Sequence, residues 1–262
     1  LLPRVMSLIR PGRCAVLAPT YAEHGRAAAI AGHAVSEVAA FEALADHDLA
    51  VVVNPNNPDG RLIPVETLAE LARHLAARGG LLVVDEAFMD VGPPAAGFGP
   101  MAAEAGAIVL RSFGKFFGLG GVRLGFAAGR ADLMAQLDRQ LGPWAVSGAA
   151  IEIGVRALAD QAWQDDMRRK LETEAARLDV KLAAAGVAPV GGTSLFRLVR
   201  TPAAPELFRR LGESGIYVRR FGDRPTDLRF GLPGDEAQWQ RLSAALDGWR
   251  AGRVANKKVA AS

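Results

Sequence analysis

Residues 111–125 read RSFGKFFGLGGVRLG, and the interpretation of the fold starts from them. They follow the apolar residues 107–110, which predict a buried strand that ends where the polar groups begin. Ser112, Lys115 and Arg123 then stand in a loop, residues 112–123, that contains four glycines. A lysine in such a loop is most often solvated, so Lys115 taken alone does not predict a catalytic site.

Two earlier segments change that interpretation. Residues 54–60 read NPNNPDG and residues 83–88 read VVDEAF, and each segment lies where an apolar strand ends. An open α/β sheet binds its ligands at the carboxyl edge of its strands. Polar groups at three strand ends therefore predict a ligand site at one edge of a sheet.

The first part of the chain alternates strands and helices. Strands are expected at residues 13–18, 33–38, 49–53, 81–84, 107–110 and 124–127, and helices at 22–31, 65–77 and 132–141. Such an alternation is typical of an α/β fold with a mostly parallel sheet and right-handed crossovers.

The second part predicts a smaller α+β domain. A long helix at 163–185 precedes strands at 194–199, 216–219 and 228–231, with helices at 204–213 and 236–250. We therefore expect a large domain at residues 1–155, a small C-terminal domain at 156–250 and a loose tail at 251–262.

Composition excludes several classes of protein. The net charge is +3 and no basic stripe with interleaved aromatics is present, so nucleic-acid binding is not indicated. No apolar run is long enough to span a membrane. Cys14 is the only cysteine, which excludes an intrachain disulfide, and no Cys/His cluster predicts a metal site. The cytoplasm is the expected compartment.

A phosphorylated aromatic aldehyde would give each polar residue a chemical role. Lys115 would form a Schiff base with the aldehyde, a common use of a desolvated lysine. Ser112 and Arg123 would bind the phosphate, the arginine through its planar fork of donors. Asp85 would pair with a protonated pyridine nitrogen, because opposite charges in a pocket favour the charged forms of both.

Three further residues complete the hypothesis. Asn57 would donate to the ring hydroxylate, and Tyr21 would stack on the face of the ring. Simpler alternatives exist for each residue alone: Asp85 as a helix cap or surface acid, Asn57 as a turn residue, and Tyr21 as an aromatic at the rim. Glu86 is expected either to support the site or to face water. Their joint occurrence at consecutive strand ends favours the cofactor.

These motifs resemble the fold-type-I pyridoxal-phosphate enzymes, the aspartate aminotransferase superfamily. The resemblance rests on NPNNPDG, on DEAF, and on S-x-x-K followed eight residues later by arginine. It implies a large cofactor-binding domain with a smaller C-terminal domain, and a homodimer. It also implies that Arg229 binds the substrate carboxylate, that Arg219 reaches a substrate phosphate, and that Arg220 assists.

Two groups within the superfamily are most similar: histidinol-phosphate aminotransferases and threonine-phosphate decarboxylases. Aminotransferases usually carry tyrosine three residues after the aspartate, where this sequence has Phe88. Phe88, PTYAEH and RSFGKFFGL resemble the decarboxylases, which act on L-threonine O-3-phosphate in cobalamin biosynthesis. Transamination is the alternative, and a non-catalytic binding module is a third, which the intact Lys115 opposes. The superfamily's N-terminal arm and Gly-rich phosphate loop are expected upstream of Leu1.

Overall fold

The computed structural model describes residues 1–259, with the side chains of Pro94 and residues 253–259 left aside. Contacts between residues divide the chain into two compact units, Leu1–Gln161 and a second that begins at Ala162. The boundary expected near residue 155 falls within a helix of the first unit. Among residues 1–259, no helix is both long enough and apolar enough to cross a membrane.

The first unit is built on a six-stranded sheet. Its strands are β1 (Arg13–Leu17), β2 (Ala34–Val38), β3 (Leu49–Val53), β4 (Leu81–Asp85), β5 (Ile108–Ser112) and β6 (Gly125–Gly129). Their order is β2-β1-β3-β4-β5-β6. The first five strands are mutually parallel, and β6 is antiparallel to β5. The expected mostly parallel α/β sheet is therefore confirmed.

Helices cover both faces of this sheet. They are α1 (Leu2–Met6), α2 (Glu23–Ile30), α3 (Val65–Ala76), α4 (Gly99–Ala105), α5 (Ala131–Leu141) and α6 (Gly148–Ala159). Alternate residues of β3 enter two cores, Ala50 and Val52 packing with α3 and α4, and Leu49 and Val51 with α1, α2 and α5. Burial on both faces explains why β3 and β4 are continuous apolar runs rather than alternating ones.

Three of these helices were not expected from the sequence. Helix α1 is short and contains a proline, and α4 begins with Gly-Pro, which is tolerated only in the first turn of a helix. Helix α6 is mainly apolar, but much of its apolar surface is exposed. Helices α1 and α4 have only five and seven residues, too few to show a helical period, and in α6 apolar residues occupy exposed as well as buried positions.

The second unit packs three helices against a small antiparallel sheet. The helices are α7 (Gln161–Ala184), α8 (Ala204–Glu213) and α9 (Glu236–Val259), and the strands are β7 (Pro189–Thr193), β8 (Phe196–Arg200), β9 (Arg219–Arg220) and β10 (Asp227–Gly231). The strand order is β7-β8-β10-β9. Its core holds Leu178, Leu207, Phe230 and Trp249.

The second unit departs from expectation in three places. The strand expected at 216–219 is reduced to Arg219–Arg220, and β7 was missed because two glycines interrupt it. Helix α9 runs on through residues 251–259, which were expected to form a loose tail. Alanines and lysines there are good helix formers. Residues 260–262 lie outside the described residues.

Candidate active site

The polar motifs found in the sequence lie along one edge of the first sheet. Strands β1, β3, β4 and β5 are neighbours in that order, and all four are parallel. Their carboxyl ends are followed by PTY at residues 19–21, NPNNPDG at 54–60, EAF at 86–88 and the lysine segment after Ser112. The tertiary structure thus brings the four motifs to the edge where α/β sheets bind ligands.

Asp85 is held in place at the end of β4 by two contacts. Its Oδ1 accepts a hydrogen bond of 2.9 Å from the Ala87 backbone N–H, and its Oδ2 lies 2.7 Å from His24 Nε2. The Asp85 side chain is 13% exposed, whereas His24 is completely buried. An ionised carboxylate has about four acceptor sites, so Asp85 retains capacity for a further cationic donor.

His24 is a candidate site residue that the sequence pattern did not reveal. It lies in the first turn of α2, three residues after Tyr21 in the segment PTYAEH. Its Nδ1 is buried without a hydrogen-bond partner in the part of the chain that the structure describes. The signal available beforehand was a lone histidine one helical turn after a strand-end aromatic, which does not identify a partner 61 residues away.

Tyr21 contacts the ring of His24 at the same edge of the sheet. Its ring meets the His24 ring edge-on, with centroids 5.8 Å apart and an interplanar angle of 84°. The residue is 47% exposed, so its ring is accessible to a ligand. Tyr21, His24 and Asp85 therefore form a continuous series of contacts, which is compatible with the expected stacking role of Tyr21.

The structure separates the three asparagines of NPNNPDG. Asn54 is buried and exchanges hydrogen bonds of 2.8 and 3.2 Å with the backbone of Ile63. Asn56 accepts from Thr20 Oγ1 at 2.7 Å and donates to the Pro19 carbonyl at 2.9 Å, so it fastens the PTY loop. Asn57 is half-buried. It remains our candidate for the ring hydroxylate, since Asn54 and Asn56 hold the loops together.

Lys115 stands in a loop that is anchored by phenylalanines. Phe113 and Phe117 stack with centroids 4.3 Å apart, and Phe116 packs edge-on against Phe117 at 5.1 Å. All three rings are buried, whereas Lys115 between them is exposed. The Lys115 Nζ lies 5.7 Å from the centroid of the Phe88 ring. The lysine in the loop after β5 and the DEAF segment at the end of β4 are thus brought together.

Ser112 and Arg123 flank this loop. Ser112 Oγ accepts from the Gly114 N–H at 3.2 Å, which turns the chain sharply after β5. Arg123 is exposed, adopts a left-handed backbone conformation with φ 59°, and donates from NH1 to the Gly120 carbonyl at 3.0 Å. Positive φ in a non-glycine residue is uncommon and is found preferentially at functional sites.

Glu86 packs beneath the edge and does not face water, so the solvated alternative is wrong. The side chain is fully buried, with Oε1 accepting from the Phe98 N–H at 2.5 Å and Oε2 3.1 Å from Arg111 Nε. Arg111 also pairs with Asp90 at 2.9 Å. Burial raises the pKa of Glu86, which the Phe98 N–H and Arg111 oppose. This contact between Glu86 and Arg111 joins the ends of β4 and β5 next to Asp85 and Ser112.

The candidate arginines of the second unit lie on opposite faces of its sheet. Arg219 and Arg229 are cross-strand partners on β9 and β10, so their side chains share one face. Burial, and then the neighbouring charge of Arg219, lower the pKa of Arg229. Arg220 follows Arg219 and therefore points to the other face, where its guanidinium lies 5.2 Å from the ring centroid of Phe208. The structure thus brings Arg219 and Arg229 together but not Arg220.

Comparison with known proteins identifies relatives over almost the whole chain. A threonine-phosphate decarboxylase of Pseudomonas aeruginosa is 46% identical over 253 residues, covering 95% of this chain and 75% of the relative. A threonine-phosphate decarboxylase of a Sinorhizobium species is 47% identical over 248 residues, covering 94% of this chain and 73% of the relative.

A solved structure and a family profile agree with these relatives. The histidinol-phosphate aminotransferase of Sinorhizobium meliloti, in complex with pyridoxal 5'-phosphate, is similar in fold with a TM-score of 0.85 and 24% identity. The match covers 96% of this chain and 74% of that one. The profile described as "Aminotransferase class I and II" matches residues 2–246. This chain therefore belongs to the aminotransferase class I and II family of pyridoxal-phosphate enzymes.

Proposed function

We propose that this chain is a pyridoxal-phosphate-dependent threonine-phosphate decarboxylase. It converts L-threonine O-3-phosphate into 1-aminopropan-2-yl phosphate and carbon dioxide, and the product serves cobalamin biosynthesis. The observation that carries the proposal is Phe88 beside Lys115 at the edge that holds Asp85, in a chain 46–47% identical to named decarboxylases.

The donor set at the sheet edge fits the cofactor. Asp85, held by His24 and the Ala87 N–H, would pair with the pyridine nitrogen and keep it protonated. Lys115 would bind the aldehyde carbon, and Ser112 and Arg123 would bind the phosphate. When bound, pyridoxal phosphate supplies an electron sink for the electron pair released at the substrate Cα.

Tyr21 and Asn57 would set the position of the cofactor ring. The exposed ring of Tyr21 would stack on one face, and the Asn57 amide would donate to the ring oxygen. Phe88 has no hydroxyl, so it cannot donate a second hydrogen bond to that oxygen. The chain's own residues thus favour retention of the proton beside the ring oxygen to a higher pH than in a chain with tyrosine at this position.

Substrate orientation decides which bond at Cα is broken. We propose that Arg229 binds the substrate carboxylate and Arg219 the phosphate, which presents the carboxylate bond for cleavage. The Lys115 amine would hold a proton and return it to Cα after carbon dioxide leaves. Loss of carbon dioxide requires no base to remove the Cα proton, which agrees with the missing tyrosine hydroxyl.

Transamination of histidinol phosphate is the second candidate, favoured by the fold shared with the aminotransferase of Sinorhizobium meliloti. The test offers threonine phosphate to one sample of holoenzyme, and histidinol phosphate with 2-oxoglutarate to another. Carbon dioxide and aminopropanol phosphate from the first, without glutamate from the second, are expected. Rapid glutamate formation would replace the decarboxylase with the aminotransferase, and a cofactor-loaded protein inactive in both would support a binding module.

We also propose that the protein forms a homodimer, and helix α6 supports this proposal. Ile151, Val155 and Leu158 of α6 are at least half exposed, and nearby Trp144 is 93% exposed with φ 63°. Contiguous apolar surface of this kind marks interaction sites. Val155→Glu should lower the mass measured by light scattering, whereas Val180→Glu, at an exposed apolar position on α7, should not. A monomeric wild type would contradict the dimer.

The cytoplasm remains our proposed compartment. Cys14 is the only cysteine of these residues and is fully buried, and burial raises its pKa to about 12. A thiol of this kind is unreactive and needs no oxidising compartment. Fractionation of cells that express the full-length protein tests the proposal, and recovery of the enzyme outside the cytoplasm would contradict it.

A further inference from the structure

Arg224, in the turn between β9 and β10, has buried donors that the protein leaves unsatisfied. Its side chain is 19% exposed, and its Nε and NH1 are buried without a hydrogen-bond partner among the described residues. Buried polar atoms in native structures are nearly always paired, and exceptions point to a function or to an unseen water or ion.

The acids nearby do not neutralise this guanidinium. Residues 219–229 contain four arginines and two aspartates. Asp223 Oδ2 lies 3.4 Å from Arg224 Nε, but its side chain is 74% exposed to water, which weakens such a pair. Asp227 is buried and accepts two hydrogen bonds of 2.7 and 3.0 Å from Arg200. Neither acid accepts a hydrogen bond from the Nε or NH1 of Arg224.

Arg224 adjoins the arginine pair already assigned to the substrate. Its guanidinium lies 4.5 Å from the centroid of the Phe221 ring, and the Arg219 guanidinium lies 5.9 Å from the same centroid. Arg219 in turn is the cross-strand partner of Arg229. Arg224 and Arg219 thus both lie near the Phe221 ring, and Arg229 lies opposite Arg219 on the neighbouring strand. The mutual repulsion of these three positive charges favours a bound anion.

We propose that Arg224 determines specificity by binding, together with Arg219, the phosphate monoester of the substrate. The identity of this anion rests on the decarboxylase function proposed above. A phosphate offers three strong acceptor oxygens, and arginine presents planar donors that match them in pairs. Phe221 fixes both guanidinia by contact with its ring, so less side-chain freedom is lost when the anion binds.

The first test measures binding and does not depend on turnover. Inorganic phosphate is titrated by calorimetry into the cofactor-loaded holoenzyme of the wild type and of Arg224→Gln, Arg224→Lys and Arg209→Gln. Arg209 is a matched control, because it is an exposed arginine of α8 in the same unit. Arg224→Gln should weaken phosphate binding by roughly ten- to a hundred-fold, with Arg224→Lys between it and the wild type. Arg209→Gln should bind as the wild type does.

The second test measures selectivity for the phosphate. Arg224→Gln should raise KM for threonine phosphate by a similar factor, with kcat and the activity on unphosphorylated threonine nearly unchanged. An unchanged phosphate Kd and an unchanged KM would overturn the proposal, as would a wild-type holoenzyme that binds no phosphate. If Arg224→Gln does not fold, Arg224→Lys decides, since it keeps the charge but loses the paired donors.

The same data separate this proposal from the proposed reaction. Suppose that the wild type releases no carbon dioxide from threonine phosphate, but Arg224→Gln binds phosphate more weakly than the wild type does. This outcome refutes the decarboxylase and keeps the anion site. A wild type that decarboxylates threonine phosphate, with Arg224→Gln indistinguishable from it in both measurements, keeps the enzyme and refutes the role of Arg224.

Discussion

His24 Nε2 lies 2.7 Å from Asp85 Oδ2, and the imidazole is completely buried behind the carboxylate. Helix α2 carries the histidine and strand β4 carries the aspartate, so the contact ties the first crossover to the centre of the sheet edge. The pair fixes the orientation of the carboxylate that we assign to the pyridine nitrogen. We therefore propose that His24 positions this carboxylate for cofactor binding.

Replacing His24 tests this relationship. His24→Leu fills the buried position with an apolar side chain of similar size but removes the partner of Asp85 Oδ2. A hydrogen bond to a charged group contributes about 1.5–3 kcal/mol, so the Kd for pyridoxal phosphate should rise roughly ten- to a hundred-fold. Titration followed by the visible absorption of the bound cofactor measures it. His74→Leu, on exposed α3 surface, is the control, and equal affinities of both variants would remove His24 from the site.

Lys115 is expected to carry the cofactor covalently. Borohydride reduction of the wild-type holoenzyme should label the peptide that contains Lys115, and Lys115→Ala should leave it unlabelled with the visible absorption lost. Mass spectrometry of the digested protein locates the adduct. Lys170→Ala, on the exposed surface of α7, should label as the wild type does. A reducible adduct on another lysine of the wild type would refute the central assignment.

Phe88→Tyr is expected to change the ionisation of the bound cofactor. A hydroxyl at this buried position would donate to the ring oxygen and stabilise its anionic form. The pH at which the visible absorption titrates should then fall by about one unit, because such a bond contributes about 1.4 kcal/mol. Spectra across pH measure the change, with Phe88→Leu as the control. An unchanged titration in Phe88→Tyr would show that residue 88 does not reach the ring oxygen.

Arg219 is expected to distinguish phosphorylated from unphosphorylated substrate. Arg219→Ala should raise KM for threonine phosphate about ten- to a hundred-fold while barely changing the kinetics with threonine. Arg220→Ala is the comparison, because that side chain lies over Phe208 on the opposite face and should change KM less than about two-fold. Steady-state kinetics with both substrates give the answer. An equal loss for both substrates would exclude Arg219 from the phosphate site.

Glu86 is expected to make stability depend on pH. Because burial raises its pKa, the folded protein keeps a proton on this carboxyl where the unfolded chain, with a pKa of 4.5, has lost it. Its stabilising contribution is therefore fully present below pH 4.5 and is lost as pH rises through the raised pKa.

Glu86→Gln stays neutral at every pH and removes this dependence. The free energy of unfolding of the wild type, measured relative to Glu86→Gln by urea denaturation, should be largest below pH 4.5 and should fall as pH rises through the raised pKa. Glu66→Gln, at an exposed acid of α3, is the control and should show no comparable trend. A difference between wild type and Glu86→Gln that stays constant with pH would contradict the prediction.

Local pattern was sufficient for the strands and motifs that define the site. Strand β3 has the bounds predicted from its apolar run, because a strand buried on both faces is apolar throughout. The motifs around Asn57, Asp85 and Lys115 were found because each combines a strand end with turn residues. The resemblance to the superfamily, which rests on these motifs, was confirmed by the family profile and the relatives.

The partners of buried polar groups were decided by the tertiary structure alone. His24 and Asp85 are 61 residues apart, and nothing in the local pattern of either segment specifies the other. Glu86 follows Asp85 in the chain, yet alternation of side chains along the strand end turns it into the interior, where Arg111 and the Phe98 N–H receive it.

The sequence by itself determined the α/β fold and the motifs, because hydrophobic period, turn chemistry and residue type are local properties, and the resemblance of those motifs to the superfamily supplied the cofactor class. Local pattern could not separate Arg219 from Arg220, which are neighbours of the same type at one strand end, and only the resemblance gave them different roles. Only the register of β9 on β10 places Arg219 opposite Arg229 and turns Arg220 to the other face. Strand register depends on contacts between distant segments, so it exists only once the chain has folded.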